Sequence, residues 1–263
     1  MMPARQSWSR LAIAVVFATT VGSACNLNLS MGAEARDQWT RSYPISSGGS
    51  LEIRNGNGRI TIEAGTGQTI EVTAERITKA STDEAAKAQL TKIEIKEDVS
   101  PTRIVIDSAV RGSLGMNTSR RVDYTVRVPA NVNVSLESSN GELVVRGLAG
   151  NLSVSSSNGR IRGEGLSGSV KASATNGLVE LTLDAIGPEG VKADTTNGAI
   201  TLTIPKSSNA DLTARVTNGD LRYEGLEVQV AESSSRRIDG RIGTGGPTLS
   251  LETTNGAIRI RGK

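Results

Sequence analysis

The chain has 263 residues, of which 37% are apolar and only 2% aromatic, with 29 glycines, a composition suited to tight turns and thin aliphatic layers rather than long helices around a thick core. It contains no histidine, which excludes histidine triads, histidine general bases and histidine-ligated metal sites. The formal net charge is +3, but Arg5 and Arg10 stand in the N-terminal segment, leaving 28 basic against 27 acidic residues interleaved along the rest; without a concentrated basic footprint, nucleic acid is not an expected partner.

Residues 1–24 combine Arg5 and Arg10, an apolar stretch from Leu11 to Gly22, and the small residues Ser23 and Ala24. This is the layout of a signal peptide, and the apolar run is too short for a bilayer span, which needs about 20 residues. Cys25 is the only cysteine, so an internal disulfide is excluded. The run Val21-Gly22-Ser23-Ala24-Cys25 resembles the bacterial lipobox, with Gly22 where that motif carries leucine. The resemblance implies acylation of Cys25 and a membrane anchor; ordinary cleavage after Ala24 would give a soluble exported protein instead. Residues 25–38 are small and polar, the character of a tether.

Residues 39–130 read as an irregular β-rich part containing short alternating runs such as Ser50 to Arg54, Arg59 to Glu63 and Arg121 to Val128. One helix is expected over about 82–90, where Ser81-Thr82-Asp83-Glu84 forms a capping-box pattern ahead of Ala85, Ala86 and Leu90. Its expected task is to cover an end or side of the sheet.

The chain repeats itself, with regular coils expected over 131–263. Asn-Gly recurs at Asn57, Asn140, Asn158, Asn176, Asn197, Asn218 and Asn255, with steps of 18, 18, 21, 21 and 37 from Asn140 onward. Six residues before each asparagine stands an aliphatic (Leu51, Val134, Leu152, Val170, Val191, Leu212, Leu249), and alternation continues through the turn to Ile60, Leu143, Ile161, Val179, Ile200, Leu221 and Ile258. Each unit is therefore strand, Asn-Gly corner, strand. A series of hairpins would not need the same corner every time, whereas stacked coils do. The expected fold is an all-β, right-handed β-solenoid of 18–21-residue coils, with 39–263 as one continuous domain. The seven asparagines would form a side-chain ladder, bordered by the hydroxyls of Ser139, Ser157, Thr175, Thr196, Thr217 and Thr254. Those hydroxyls suit turn stabilisation better than ice binding. The doubled 37-residue step suggests one coil lacking Asn-Gly.

The strand Val126-Arg127-Val128-Pro129, the run 134–150, Thr201-Leu202-Thr203-Ile204-Pro205, Gly240-Arg241-Ile242-Gly243 and Thr253-Thr254-Asn255-Gly256 together resemble the bacterial putative-adhesin domain family, over about 40–263. The resemblance implies a single-stranded β-helix on an envelope-exposed or lipid-anchored protein, in a family whose function is largely unknown.

No catalytic, cofactor or metal constellation is expected. Sequential stacking would set Asp194 beside Arg215 and Glu142 beside Arg160, giving exposed opposite-sign pairs rather than paired carboxylates. Of the aromatics beyond the signal segment, Trp39 and Tyr43 are expected to cover the first coil, and Tyr223 to occupy a core slot equivalent to Leu202 and Ile260. The segment Glu227 to Pro247 interrupts the repeat and carries Ser233, Ser234, Ser235, Arg236 and Arg237, a candidate binding loop or a degenerate coil. The expected function is a non-catalytic envelope module, binding or structural, whose partner is an envelope protein or glycan. The alternative is a polysaccharide-active β-helix enzyme.

Overall fold

A computed structural model describes residues 32–108 and 118–263. The expected signal peptide, Cys25 and the tether up to residue 31 lie outside the described residues. The chain enters with β1 (Ala33–Pro44), so a strand begins within the segment expected to be tether. Its alternating exposure and its twelve-residue antiparallel register with a later strand explain why. Next come β2 (Ser50–Asn57) and β3 (Ile60–Gly65), then β4 (Thr69–Ala80), α1 (Asp83–Leu90), β5 (Lys96–Val99), β6 (Arg103–Ser108) and β7 (Ser119–Pro129). In α1 the side chain of Thr82 accepts a hydrogen bond from the Ala85 N–H, Ala86 is buried, and the Thr78 hydroxyl on β4 donates to the Ala86 carbonyl at 2.7 Å.

Five strand–corner–strand units follow: β8 (Asn133–Asn140) with β9 (Leu143–Arg146), β10 (Leu152–Asn158) with β11 (Ile161–Leu166), β12 (Val170–Asn176) with β13 (Val179–Leu183), β14 (Val191–Asn197) with β15 (Ile200–Ile204), and β16 (Ala210–Asn218) with β17 (Leu221–Glu224). Then β18 (Val228–Ser233) and β19 (Arg237–Ile242) pair antiparallel, before a last unit of β20 (Thr248–Asn255) and β21 (Ile258–Gly262).

The strands form two sheets. One runs β1-β4-β7-β3-β9-β11-β13-β15-β21-β17, the other β18-β19-β16-β20-β14-β12-β10-β8-β2-β6-β5. Within each, the Asn-Gly units pair in parallel with matching residues side by side: Leu152 with Val134 and Val170, Ile161 with Leu143 and Val179. Every second residue faces inward, and these residues make one apolar core, including Ile53, Leu136, Val154, Ile200 and Ile260. Residues Gly32–Lys263 form one compact unit.

Two features of order depart from the sequence reading. The unit β2–β3 is regular, not part of an irregular half: Leu51 sits beside Val134 and Asn57 beside Asn140, across 83 residues of sequence. The rung beyond it is β6–β7, which lies later in the chain. At the other end β20–β21 inserts between β14–β15 and β16–β17, so Asn255 follows Asn197 in space and Asn218 comes after it. The expected extra coil in the 37-residue step is absent. Its place is taken by the antiparallel β18–β19 hairpin, whose strand β19 pairs with β16. Antiparallel strands therefore cover rungs at both ends, a covering that blunts parallel edges.

Candidate binding surface

The Asn-Gly corner is a continuous column. Each asparagine side-chain N–H donates to the amide oxygen of the preceding rung: Asn140 to Asn57 at 2.8 Å, Asn158 to Asn140 and Asn176 to Asn158 at 3.0 Å, then Asn197 to Asn176, Asn255 to Asn197 and Asn218 to Asn255 at 2.9 Å. The backbone runs the other way, with the Gly159 N–H donating to the Asn176 carbonyl at 3.1 Å. Ser139, Ser157, Thr175, Thr196, Thr217 and Thr254 lie exposed beside this column. One residue earlier, a second set of polar side chains points inward: Asn55, Ser138, Ser156, Thr195 and Thr253 are buried. Thr195 and Thr253 donate to glycine carbonyls of the corner at 3.3 and 3.0 Å, while the hydroxyls of Ser138 and Ser156 have no hydrogen-bond partner among the described residues.

Charges on the outer faces are mostly matched across strands. Arg146 bridges Glu63 (3.7 Å) and Glu164 (2.8 Å), Arg59 meets Glu142 at 3.0 Å, and Arg160 meets Glu180 at 3.6 Å. The Arg146 hydrogen bond holds the Glu164 carboxyl below its usual range. Arg160 therefore pairs forward rather than with Glu142. The expected Asp194–Arg215 contact is also replaced, because the inserted rung places Glu252 between them. Asp194 instead accepts from the Ser173 hydroxyl at 2.6 Å, and two carboxylates, Asp194 and Glu252, sit in register on adjacent strands. Chain order hides this pair, since it assumes sequential stacking.

A trough of about 560 Å³ crosses the starts of β2, β8, β10, β12 and β14, with Glu52, Ser135, Ser153, Lys171 and Lys192 along it. Its rim is built by a second column that sequence reasoning missed. Asn133 Oδ1 accepts the Asn151 N–H (3.0 Å), Asn151 Oδ1 the Ser169 N–H (3.2 Å), and Ser169 Oγ the Glu189 N–H (3.0 Å). The signal was legible: Asn133, Asn151 and Ser169 recur 18 residues apart, each directly before an inward aliphatic.

Of the candidate binding loop, Ser233 ends β18 and Arg237 begins β19, so the segment is a hairpin tip. Ser234 Oγ accepts the N–H groups of Arg236 (3.3 Å) and Arg237 (3.0 Å), while Ser235 and Arg236 are exposed. The Arg237 side chain is engaged by Asp239 and by Glu232 at 3.5 Å. Tyr223 pairs with Ile260 as its slot requires, yet it is 39% exposed because β17 is the outermost strand of its sheet. At the opposite end Tyr43 is buried and donates to Glu97, and the Arg41 guanidinium lies 4.9 Å from the centre of the Trp39 ring. Among the described residues no group of acidic side chains is arranged to hold a metal ion, and no helix is long and apolar enough to cross a membrane.

No curated protein matches this chain. Among solved structures it is similar to a putative cell adhesion protein from Clostridium sporogenes, at 15% identity over 87% of this chain and 100% of that one, with a TM-score of 0.48. It is also similar to putative adhesins from Bacteroides fragilis (12% identity, 85% and 97% covered, TM-score 0.34) and Parabacteroides merdae (12%, 86% and 96%, TM-score 0.22). The Toastrack DUF4097 family model matches residues 130–261, which hold the regular rungs from β8 to β21, and the chain belongs to that family.

Proposed function

We propose that this protein is an exported, non-catalytic binding or structural module of the cell envelope, built on a right-handed coil and anchored through an acylated Cys25. The observation that carries the binding role is the trough. It lies across five in-register parallel strands, on a rigid face where partners of extended shape meet the same kind of row at each rung. Right-handedness follows the preference of parallel crossover connections. The expected partner is an envelope glycan or protein, and the hairpin tip Ser233 to Arg237 is a second contact on the same end-capped scaffold.

The test incubates the purified mature protein with cell-wall and capsular glycans, scoring retention and released sugar ends separately. Retention without release is the expected result, and release that continues on dilution would replace the module with an enzyme. The juxtaposed Asp194 and Glu252 favour that second reading, since carboxylate pairs serve glycoside cleavage. Any such release should vanish in Asp194→Asn and Glu252→Gln. For the anchor, the wild type should partition with membranes and Cys25→Ser should not, as each acyl CH₂ buried contributes about 0.8 kcal/mol; equal partitioning would remove the anchor.

A further inference from the structure

We propose that the trough is a binding site for a linear acidic polysaccharide, with the ammonium groups of Lys171 and Lys192 holding its anionic substituents. The proposal rests on the binding-module reading and deepens it. Lys171 and Lys192 occupy the same outward row of β12 and β14 and are partners in register. Neighbouring strands lie about 4.8 Å apart, and like charges set directly opposite destabilise a sheet. On the other sheet such strain is relieved by interleaving in the Glu63, Arg146, Glu164 series. Here it is not: no carboxylate of the described residues lies within ion-pair distance of either ammonium.

Two of the acidic groups nearby, Asp194 and Glu52, are turned to other partners. Asp194, on the same face of β14, is bonded by Ser173 (2.6 Å), and Glu52 at the far end of the trough is held by Arg54 and by Arg103 at 2.7 Å. Glu189 stands at the rim without an ion pair among the described residues. Along the same row, Ser135 and Ser153 present exposed hydroxyls with no partner among the described residues. Five strands give a length of roughly 19 Å across the rungs. A row of neutral hydrogen-bonding groups leading to two uncompensated cations matches a polyhydroxylated chain with acidic substituents. Nucleic acid fits poorly, because the trough has no aromatic platform on which bases could stack.

Affinity electrophoresis of the mature protein through gels containing polygalacturonate, dextran sulfate, neutral dextran or single-stranded DNA tests the assignment. The wild type should be retarded by polygalacturonate, less so at high salt, and not by neutral dextran. Retardation by dextran sulfate as well would widen the ligand from carboxylates to any acidic substituent. Lys171→Ser combined with Lys192→Ser copies the residues already at 135 and 153, and should lose about tenfold in affinity. Lys171→Gln with Lys192→Gln keeps an extended polar side chain, one atom shorter and without the charge, and should behave alike. Removing the same charge at Lys87 and Lys92, on and just after α1, should leave affinity within about twofold, and Glu189→Gln should tighten binding. Folded lysine variants that bind as tightly as wild type, equal retention by neutral dextran, or equal retention by single-stranded DNA would overturn the site. If envelope glycans are still retained by the lysine variants, the trough assignment falls and the module reading stands; if nothing is retained by any form, both fall.

Discussion

A Cβ on Gly159 would lie 1.9 Å from the Gly141 carbonyl oxygen, and the same approach recurs up the column, at 1.8 Å for Gly177 against Gly159. The repeated glycine is thus required chiefly by how closely rungs stack. At Gly159 a φ of +156° adds to it, whereas Gly177 is held by contact alone. Backbone blocks the missing atom, so no side-chain rotation relieves the clash. Gly159→Ala should cost about 3 kcal/mol or more, in the range of disrupted backbone packing, while Arg162→Ala should cost under about 1 kcal/mol. Arg162 is exposed and its partner Glu164, 2.7 Å away, is also bound by Arg146. Urea unfolding of both variants checks this, and equal losses would mean the corner is not tightly stacked.

At the scale of elements, the N-terminal end is closed by side chains reaching between the sheets. Tyr43 on β1 bonds Glu97 on β5, and burial followed by that bond raises its phenol above the ordinary range. On β7, burial pushes Tyr124 up to about 12, with nearby Ser108 offsetting part of the shift. Both tyrosines keep their protons in the folded protein at a pH where the unfolded chain loses them. Their contribution is complete below pH about 10 and is lost as pH rises through the raised values. Stability should therefore fall along an alkaline limb, and Tyr43→Phe with Tyr124→Phe should flatten it. Denaturation midpoints from pH about 9 to about 12 test this, an unchanged slope in the double variant ruling it out. The opposite end has no such closure on the first sheet, where Tyr223 stays 39% exposed.

Across the whole molecule, stability in a stacked array is nearly a sum of nearest-neighbour interfaces, so the position of a rung in space matters more than its position in sequence. The β20–β21 unit has interfaces on both sides, with β14–β15 and β16–β17. Truncation before Thr248 should therefore remove an interior rung and abolish the cooperative thermal transition. Replacing 228–242, the β18–β19 hairpin, by a Gly-Ser linker removes one covering layer and should preserve the transition at a lower Tm. Circular dichroism melts of the two forms would separate them, and matching behaviour would contradict the insertion of β20.

The rung itself was readable from the chain, because period-2 alternation, the Asn-Gly corner and the capping box at Thr82 are local patterns that act within a few residues. That is why β8 to β15, α1 and the asparagine ladder could be anticipated by number. The order of rungs was not readable. Asn218 and Asn255 share the corner and an inward leucine at the same offset, Leu212 and Leu249, and Arg215 rather than Glu252 is the charge complement of Asp194, so local chemistry does not select the later unit. Only tertiary packing chose Asn255, since the antiparallel hairpin returns the chain to the far side of β16 and leaves the later unit to fill the inner place. The same choice brings Asp194 beside Glu252 and separates it from Arg215, through contacts between residues far apart in sequence that no local pattern encodes.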